Sequence, residues 1–236
     1  MIKAIFFDLD GTLLPMKEEE FAKVYFSSLS QKMIPYGYET EKLITTILNG
    51  TKAMFLNDGK MTNEQVFWNY FESVYGKEKL KDKPIFDHFY ENEFKKTKSE
   101  CKENPLARSI VDFCHENFQY VILSTNPIFP LVGTLTRMSF VHLKKEDFDW
   151  ITSYENSCFT KPNPKYFMEI LNHFHLEPQE VLLFGNNTYE DGECALAAHI
   201  KCYLVGDYII ESPHSTHHFL KLKMTDIIPL LKTYIK

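Results

Sequence analysis

Two aspartates follow directly after a short apolar run near the start of the chain. Residues 2–7 (I-K-A-I-F-F) have β-strand composition and end abruptly at residues 8–12 (D-L-D-G-T), which predicts a buried strand running into a loop. At such a turn, Asp8 or Asp10 could attack a phosphorus centre while the other carries a proton, provided that a cation offsets their repulsion. The same five residues are also unremarkable as a solvated turn, so the functional hypothesis depends on three further segments.

The second and third segments could bind an anion. Residues 124–126 (S-T-N) follow a predicted strand at residues 120–124, where a hydroxyl could hydrogen-bond a phosphoryl oxygen or could equally cap the next helix. Residues 161–167 (K-P-N-P-K-Y-F) place Lys161 before a helix start that proline fixes. Its ammonium could neutralise the nucleophile and the phosphoryl group together, although a lysine taken alone is usually a surface residue.

The fourth segment could complete a metal site. Residues 185–191 (G-N-N-T-Y-E-D) follow an apolar run at residues 181–184, and their acids would suit magnesium, which prefers hard oxygen ligands. In an open α/β sheet, ligands bind at the edge formed by the carboxyl ends of the strands. The two aspartates that follow the first strand are therefore predicted to lie at the ligand-binding edge.

Strands and helices alternate after residue 104, which predicts βα units and a parallel sheet. Asn104 and Pro105 indicate a helix cap followed by proline at the first helical position. The predicted fold class is α/β, with a Rossmann-like, three-layer parallel sheet. Predicted strands lie at residues 2–7, 120–124, 150–152, 181–184 and 201–205, and predicted helices at about 105–117, 128–138, 164–174, 190–198 and 225–235.

The segment from about residue 17 to residue 96 shows helical periodicity and no convincing strand. Apolar residues recur at helical spacing in three stretches, which begin at Phe21, Leu43 and Val66. Thr62 and Gln65 fit a capping box at the start of the third helix. We therefore predict a small helical bundle inserted after the first strand, whose aromatic residues mostly pack inside it.

Composition and charge exclude several classes of partner. The formal net charge is −6 and there is no stripe of lysine and arginine, so the electrostatic footprint of nucleic-acid binding is missing. No apolar run approaches the ~18 to 20 residues that span a bilayer, and acids interrupt the N-terminal run where a secretory signal would stay apolar. Five cysteines without a C-x-x-C pair favour reduced thiols. We expect a cytoplasmic protein with no nucleic-acid or membrane partner.

The four segments, taken in order, resemble a known signature. D-x-D-G-T-L, S/T-N, K-P-x-P-x-x-F and G-(D/N)-x-x-x-x-D are similar to the four motifs of the haloacid dehalogenase superfamily. The resemblance implies that Asp8 is the nucleophile and Asp10 the general acid/base. It also implies that Thr125, Asn126 and Lys161 bind the phosphoryl group, with Thr125 and Lys161 among the catalytic residues.

The same resemblance implies a division of the chain. The α/β core is expected at residues 1–16 and 100–236. The helical insert, residues 17–99, resembles the C1 cap of that superfamily's first subfamily.

The implied cofactor is Mg²⁺, held by the carboxylate of Asp8, the backbone carbonyl of Asp10 and an acid of the fourth motif. Asp191 aligns with the second acid of that motif, and Asn187 stands where the metal-binding aspartate is expected.

In a register shifted by one residue, the metal position is Asn186 and its partner is Glu190, so an amide replaces a carboxylate in either alignment. An amide oxygen can coordinate magnesium but brings no charge, so metal affinity should fall unless Asp191 compensates.

The resulting hypothesis is a magnesium-dependent phosphatase of a small phosphorylated metabolite, with a phosphoaspartyl intermediate on Asp8. The same residues would serve a phosphomutase, and the amide at Asn187 would suit a binding or regulatory protein that has lost turnover. The superfamily's hydrolytic dehalogenases work without metal but typically lack the second aspartate, which is present here as Asp10. We expect a monomer or a weak homodimer.

Overall fold

A parallel sheet forms the centre of the protein in a computed structural model, which describes residues 1–235. Within those residues the sheet has six strands, all paired in parallel, in the order β3-β2-β1-β4-β5-β6. This confirms the predicted α/β fold class. The strands are β1 (Ala4–Phe7), β2 (Tyr120–Leu123), β3 (Trp150–Ile151), β4 (Val181–Gly185), β5 (Lys201–Val205) and β6 (Lys221–Leu222).

Both faces of the sheet are covered, as its central strand shows. Ile5 and Phe7 of β1 belong to one apolar cluster with helices α5 (Pro105–Asn117) and α9 (Ile227–Lys232), and Ala4 and Phe6 belong to another with α7 (Lys165–Phe174) and α8 (Cys194–Ala197). Successive side chains of a strand point to opposite faces, so all four residues of β1 are buried. The helices outside the insert are α5 (Pro105–Asn117), α6 (Leu131–Ser139), α7 (Lys165–Phe174), α8 (Cys194–Ala197) and α9 (Ile227–Lys232).

The register of the sheet brings the predicted site segments to one edge. Phe7 is the register partner of Leu123 in β2 and of Phe184 in β4, so the three strands end side by side. The ladder continues one residue further, because the backbone N–H of Ser124 donates to the carbonyl of Phe7 at 2.7 Å. The loops after β1, β2 and β4 therefore leave the sheet at neighbouring points.

The insert after β1 consists of helices and turns throughout residues 17–99, all of which the structure describes. Its helices are α1 (Glu18–Met33), α2 (Thr40–Phe55), α3 (Asn63–Tyr75) and α4 (Lys83–Glu91), followed by 3₁₀ turns at Glu93–Glu100. The capping box of Thr62 and Gln65 at the start of α3 is confirmed. Met16 and Cys101 form a β-bridge, so the two ends of the insert lie side by side.

A buried asparagine forms hydrogen bonds between the insert and the rest of the chain. Asn63, the first residue of α3, is fully buried, and its amide donates to the carbonyls of Pro127 at 3.2 Å and Phe159 at 3.3 Å. The backbone N–H of Asn63 donates to the carbonyl of Ser157 at 2.9 Å. Because buried polar groups are costly when unpaired, these bonds fix where α3 begins relative to the loops of the sheet.

Three segments differ from the sequence-based expectations. The two-residue edge strand β6 was not predicted, because so short a run carries no periodic signal. The helix expected at residues 190–198 is divided into a π-helical turn at Thr188–Glu193 and the short α8. The third predicted helix of the insert is followed by α4, which sequence periodicity did not separate from its neighbours. No helix within residues 1–235 is long and apolar enough to cross a membrane.

Candidate active site

Asp8 is the buried residue that follows β1 directly. Its side chain accepts two hydrogen bonds, one from the ammonium of Lys161 at 2.9 Å and one from the hydroxyl of Thr12 at 3.1 Å. The turn closes through Gly11, which has a φ of +77°, and a Cβ there would meet the side chain of Asn186 at 2.0 Å. Glycine is therefore required at position 11 both by its backbone conformation and by the available space.

Lys161 lies between two carboxylates and is only 1% exposed. Its ammonium donates to Asp8 at 2.9 Å and to Asp191 at 2.5 Å. Burial alone would lower the pKa of Lys161, but the charges of Asp191 and Asp8 raise it well above its ordinary value. Burial raises the pKa of Asp8 to about 7, against the opposing effect of Lys161. The lysine is therefore a fixed cation beneath the predicted nucleophile.

Asp10 forms an ion pair with Arg137, a residue of α6 that sequence reasoning missed. Arg137 is 1% exposed, donates to the hydroxyl of Thr134 at 3.2 Å, and stacks its guanidinium 4.4 Å from the ring centre of Phe129. The second carboxylate oxygen of Asp10, Oδ1, is buried and has no hydrogen-bond partner among the described residues. Asp10 is thus held by one oxygen, while the other is available to a ligand.

One signal in the sequence could have identified Arg137. Thr134, Arg137 and Met138 have the i, i+3, i+4 spacing of one helix face, and all three are buried. An arginine on the buried face of a helix needs a buried partner, because lone buried charges are very costly. That partner could not be chosen from sequence spacing alone, since Asp10 lies 127 residues away.

The segment after β2 forms hydrogen bonds with residues of the other motifs. The side chain of Asn126 donates to Glu190 at 2.9 Å, and its oxygen accepts the backbone N–H of Lys161 at 3.2 Å. Thr125 is buried beside the cavity described below, and its carbonyl accepts bonds from the hydroxyls of Thr152 at 2.7 Å and Tyr166 at 2.9 Å. The predicted phosphate-binding residues are therefore anchored by their surroundings rather than placed on a free loop.

The fourth motif supplies amides where acids were expected from the resemblance. The side-chain oxygen of Asn187 accepts the backbone N–H groups of Tyr189 at 3.0 Å and Glu190 at 3.1 Å, so it caps the turn that follows. One oxygen of Asp191 accepts the backbone N–H groups of Asn186 and Asn187, each at 3.0 Å. Burial raises the pKa of Glu190, with Lys161 opposing the shift.

A cavity of about 280 Å³ lies above these residues. Asp8, Asp10, Thr125, Asn126 and Arg137 are on its core side, and side chains from α1, α2, α3 and α4 line the other side. All the site residues predicted from sequence line this cavity except Lys161, which lies directly beneath Asp8. The fold thus brings residues from four separated segments around one cavity.

Residues 5–205 match the family model described as haloacid dehalogenase-like hydrolase. The chain belongs to the haloacid dehalogenase-like hydrolase family. It is therefore a hydrolase, and the fold and the order of its motifs agree with this assignment.

Among curated proteins, this haloacid dehalogenase-like hydrolase is similar to glyceraldehyde 3-phosphate phosphatase of Methanothermobacter thermautotrophicus. The two are 22% identical over 98% of this chain and 99% of the relative.

Two solved structures show the same fold. A HAD phosphatase from Thermococcus onnurineus has a TM-score of 0.62 at 16% identity, with 98% of each chain covered. A 2-haloacid dehalogenase from Pseudomonas syringae pv. Tomato DC3000 has a TM-score of 0.65 at 15% identity, covering 99% of this chain and 100% of that one. Because one fold carries both chemistries, the substrate must be argued from the site.

Proposed function

We propose that the protein is a magnesium-dependent phosphatase that forms a phosphoaspartyl intermediate on Asp8. One observation carries the proposal most directly. Asp8 lines a cavity and has a buried cation, Lys161, 2.9 Å away, and the neighbouring Asp10 has a buried oxygen without a partner among the described residues. A nucleophile, a fixed positive charge and a second carboxylate are the groups that phosphoryl transfer through an enzyme ester needs.

In the proposed reaction, a carboxylate oxygen of Asp8 forms a bond to phosphorus as the bond from phosphorus to the leaving oxygen breaks. Asp10 gives a proton to that leaving oxygen from its Oδ1, the oxygen that is not paired with Arg137, so the product is an alcohol. Asp10 then takes a proton from water, and the hydroxide attacks phosphorus and breaks its bond to Asp8. Inorganic phosphate leaves, and both carboxyl groups return to their starting states.

The remaining residues of the site stabilise charge and position. Lys161 balances the negative charge that builds up around phosphorus, and Thr125 and Asn126 bind phosphoryl oxygens. Arg137 fixes the orientation of Asp10 through their ion pair, so that the unpaired oxygen of Asp10 faces the leaving group. The substrate in this proposal is a small phosphorylated metabolite, bound by a monomer or weak homodimer.

The site offers the type of donor atom that magnesium prefers, which is oxygen. The residues that would hold the ion offer oxygen atoms, Asp10 through its backbone carbonyl rather than its side chain. They are Asp8, Asp10, Asn187 and Asp191. When bound, the ion would supply positive charge to the phosphoryl oxygens.

The expected affinity for the metal is nevertheless lower than four acidic ligands would give. Within residues 1–235 no group of three acidic, histidine or cysteine side chains is arranged to hold a metal ion. Because Asn187 brings no charge, we expect a low affinity for the metal that rises when a carboxylate is placed there.

The helical insert, residues 17–99, is proposed to act as a C1-type cap over the cavity. Its two ends meet at the bridge between Met16 and Cys101, which gives the insert a narrow connection to the core at residues 1–16 and 100–236. Closure of such a cap would exclude bulk water from the site during phosphoryl transfer to Asp8. A phosphomutase would use the same residues but return the phosphoryl group to a second hydroxyl of the bound molecule.

The proposal is tested by phosphate release from an aryl phosphate and a panel of phosphomonoesters, with and without Mg²⁺. We expect magnesium-dependent turnover that Asp8→Asn lowers by about 10³-fold or more, because the nucleophile is removed. Phosphate release that Asp8→Asn leaves intact would contradict it. Halide release from 2-chloropropionate without phosphate release would instead indicate a dehalogenase.

The metal assignment is tested separately, by titrating Mn²⁺ against the wild type and Asn187→Asp. We expect roughly tenfold tighter binding in the variant, because a carboxylate replaces an amide. Equal affinities would remove Asn187 from the metal site. A wild type without turnover beside an active Asn187→Asp would favour a binding or regulatory role.

A further inference from the structure

The side of the cavity that faces Asp8 is mostly apolar, with Glu18, Thr51 and Asp87 as exceptions. Its apolar side chains come from the helical insert, from the loop before α6 and from the loop after β3, and most of them are aromatic. They are Phe21, Tyr25, Phe26, Ile47, Leu48, Phe55, Phe67, Trp68, Phe86, Tyr90, Phe129 and Tyr154. We call this set the apolar wall.

The polar atoms of the apolar wall are bonded to one another. The hydroxyls of Tyr25 and Tyr90 are 3.0 Å apart, and the indole N–H of Trp68 donates to the hydroxyl of Tyr154 at 3.3 Å. Groups paired in this way have less capacity left for the hydroxyls of a sugar. A polyhydroxylated group placed against the apolar wall would therefore lose hydrogen bonds to water that the wall does not replace.

The charges around the cavity disfavour a second anionic group on the substrate. Arg137 is the one cation in the lining among the described residues, and it is paired with Asp10. Lys83 lies 5.7 Å from the ring centre of Trp68 but forms a salt bridge with Glu64. Six carboxyl groups line the same space, those of Asp8, Asp10, Glu18, Asp87, Glu190 and Asp191.

The pKa of Glu18, at the edge of the cavity, reflects enclosure and the number of carboxyl groups nearby. The residue as a whole is exposed, yet the enclosure of its carboxyl group, followed by the charges of Glu190 and Asp10, raises its pKa to about 8. A second phosphate or carboxylate on the substrate would enter the same negative surroundings, and residues 1–235 place no free cation in the lining to bind it.

We infer that the substrate is a phosphomonoester whose organic group is small and apolar, either aromatic or aliphatic, and carries no second anion. The inference rests on the proposed phosphatase function and adds the chemical class of the leaving group. The phosphate lies over Asp8 and Lys161, and the organic group lies against the apolar wall. At about 280 Å³ the cavity is at the small end of ligand pockets, which suits one ring or a short chain.

The first test compares kcat/KM across matched phosphomonoesters in the presence of Mg²⁺. Methyl, propyl and hexyl phosphate form a series in which we expect roughly a threefold gain for each methylene that the wall covers. Hexyl phosphate should exceed phosphoglycolate, glycerol 3-phosphate and glyceraldehyde 3-phosphate, whose leaving oxygens are also alkyl, by about 100-fold. A flat series, or a preference for any of those three polar compounds, overturns the inference while leaving the phosphatase proposal intact.

A binding measurement decides the inference even if no compound is hydrolysed. Calorimetric titration of Asp8→Asn with phenyl phosphate and with phosphoglycolate compares the two classes without turnover. We expect the phenyl compound to bind at least tenfold more tightly, and equal or reversed affinities overturn the inference. Absence of turnover with every compound counts against the phosphatase proposal alone.

A pair of surface variants tests whether the apolar wall sets the preference. Leu48 lines the cavity and is 53% exposed, whereas Leu56, near the end of the same helix, is 74% exposed and lies outside the lining. Leu48→Arg should shift the kcat/KM ratio of phosphoglycolate to hexyl phosphate by about tenfold toward phosphoglycolate, because it adds a free cation. Leu56→Arg should leave the ratio unchanged. Equal ratios in the two variants would contradict the role of the wall.

Discussion

The two sides of the cavity differ in the interactions that hold their side chains in place. On the core side, at the carboxyl ends of β1, β2 and β4, buried charges are held in place by specific partners, as Lys161 is by Asp8 and Asp191. The opposite side, formed mainly by the helical insert, is mostly apolar, and the polar atoms of its aromatic side chains bond to each other. The comparison suggests that the core side determines the reaction and the insert determines which organic group is accepted.

The largest expected effect is the loss of the central cation on the core side. Lys161→Met leaves the buried carboxylates of Asp8 and Asp191 facing each other, so we expect about 3 to 5 kcal/mol less stability and no measurable turnover. Denaturant unfolding measures the first effect and phosphate release the second. The loss of stability should be smaller at pH 5 than at pH 8, because protonation of a carboxyl group relieves the repulsion.

The matched control is Lys165→Met, four residues along the same segment. Lys165 is exposed, so its replacement should change the free energy of unfolding by less than about 0.5 kcal/mol. Similar losses of stability in the two variants would mean that the central ion pairs contribute nothing specific.

A smaller effect is expected from the buried arginine. Arg137→Met leaves Asp10 without its partner, and we expect kcat to fall by about 10- to 100-fold because the acid/base group is no longer oriented. KM for an apolar phosphomonoester should change little, since Arg137 is not proposed to contact the organic group. Arg137→Lys should restore part of kcat, because it keeps the charge but not the forked geometry.

Arg108 provides the control for this change. It pairs with Asp112 and Asp147 and its side chain is 45% exposed, so Arg108→Met should cost at most about 1 kcal/mol and leave kcat unchanged. If Arg137→Met raised KM without lowering kcat, the arginine would belong to substrate binding rather than to the positioning of Asp10.

The next effect is on the pH dependence of stability, and it concerns two glutamates of the π-helical turn, Glu190 and Glu193. Their pKa values shift in opposite directions. Burial raises the pKa of Glu190, so its ionisation lowers the stability of the folded protein as pH rises through that pKa. Glu190→Gln keeps an acceptor for Asn126 and cannot ionise. In metal-free protein we therefore expect it to raise Tm at pH 8, with a smaller gain at pH 5.

Glu193 should behave in the opposite way. Burial opposes its ionisation, but hydrogen bonds from Thr216 and His217 lower its pKa to about 2. Its stabilising contribution is therefore present above its unfolded pKa and is lost as pH falls toward 2. Glu193→Gln should cost about 1 to 2 kcal/mol at pH 7 and almost nothing near pH 2. Thermal or denaturant unfolding with a chelator present measures both variants, and shifts of the same sign would contradict the assignment.

The core side of the site was largely predictable from the sequence because its chemistry restricts the residue types. Asp8 and Asp10 follow a short apolar run, and a carboxylate at the end of a buried strand has few structural reasons to be there. The predicted strands that end near Thr125 and Gly185 are confirmed within about a residue, since buried parallel strands have near-continuous apolar sequences. The fold class was predictable for the same reason.

The contacts of Arg137 and the apolar wall were not predictable in this way. Arg137 reaches Asp10 across 127 residues of sequence, and no local pattern encodes a pairing at that distance. The aromatic residues of the insert have the spacing of packed helices, so Phe71, which is buried, and Phe67, which lines the cavity, cannot be told apart by periodicity. Which face of a helix borders a cavity depends on how the helices pack against the sheet.

The smallest expected effect comes from the edge of the apolar wall. Phe55, the last residue of α2, lines the cavity and is 37% exposed, so Phe55→Ala should lower stability by no more than about 1 kcal/mol. It removes apolar contact from the organic group, and we expect KM for phenyl phosphate to rise by roughly threefold to tenfold with kcat unchanged. Steady-state kinetics with phenyl and methyl phosphate separate the two parameters, and methyl phosphate should be nearly unaffected because it reaches the wall least. A fall in kcat for both substrates would show that the insert also aligns the reacting groups. It would contradict the hypothesis that the insert determines only which organic group is accepted.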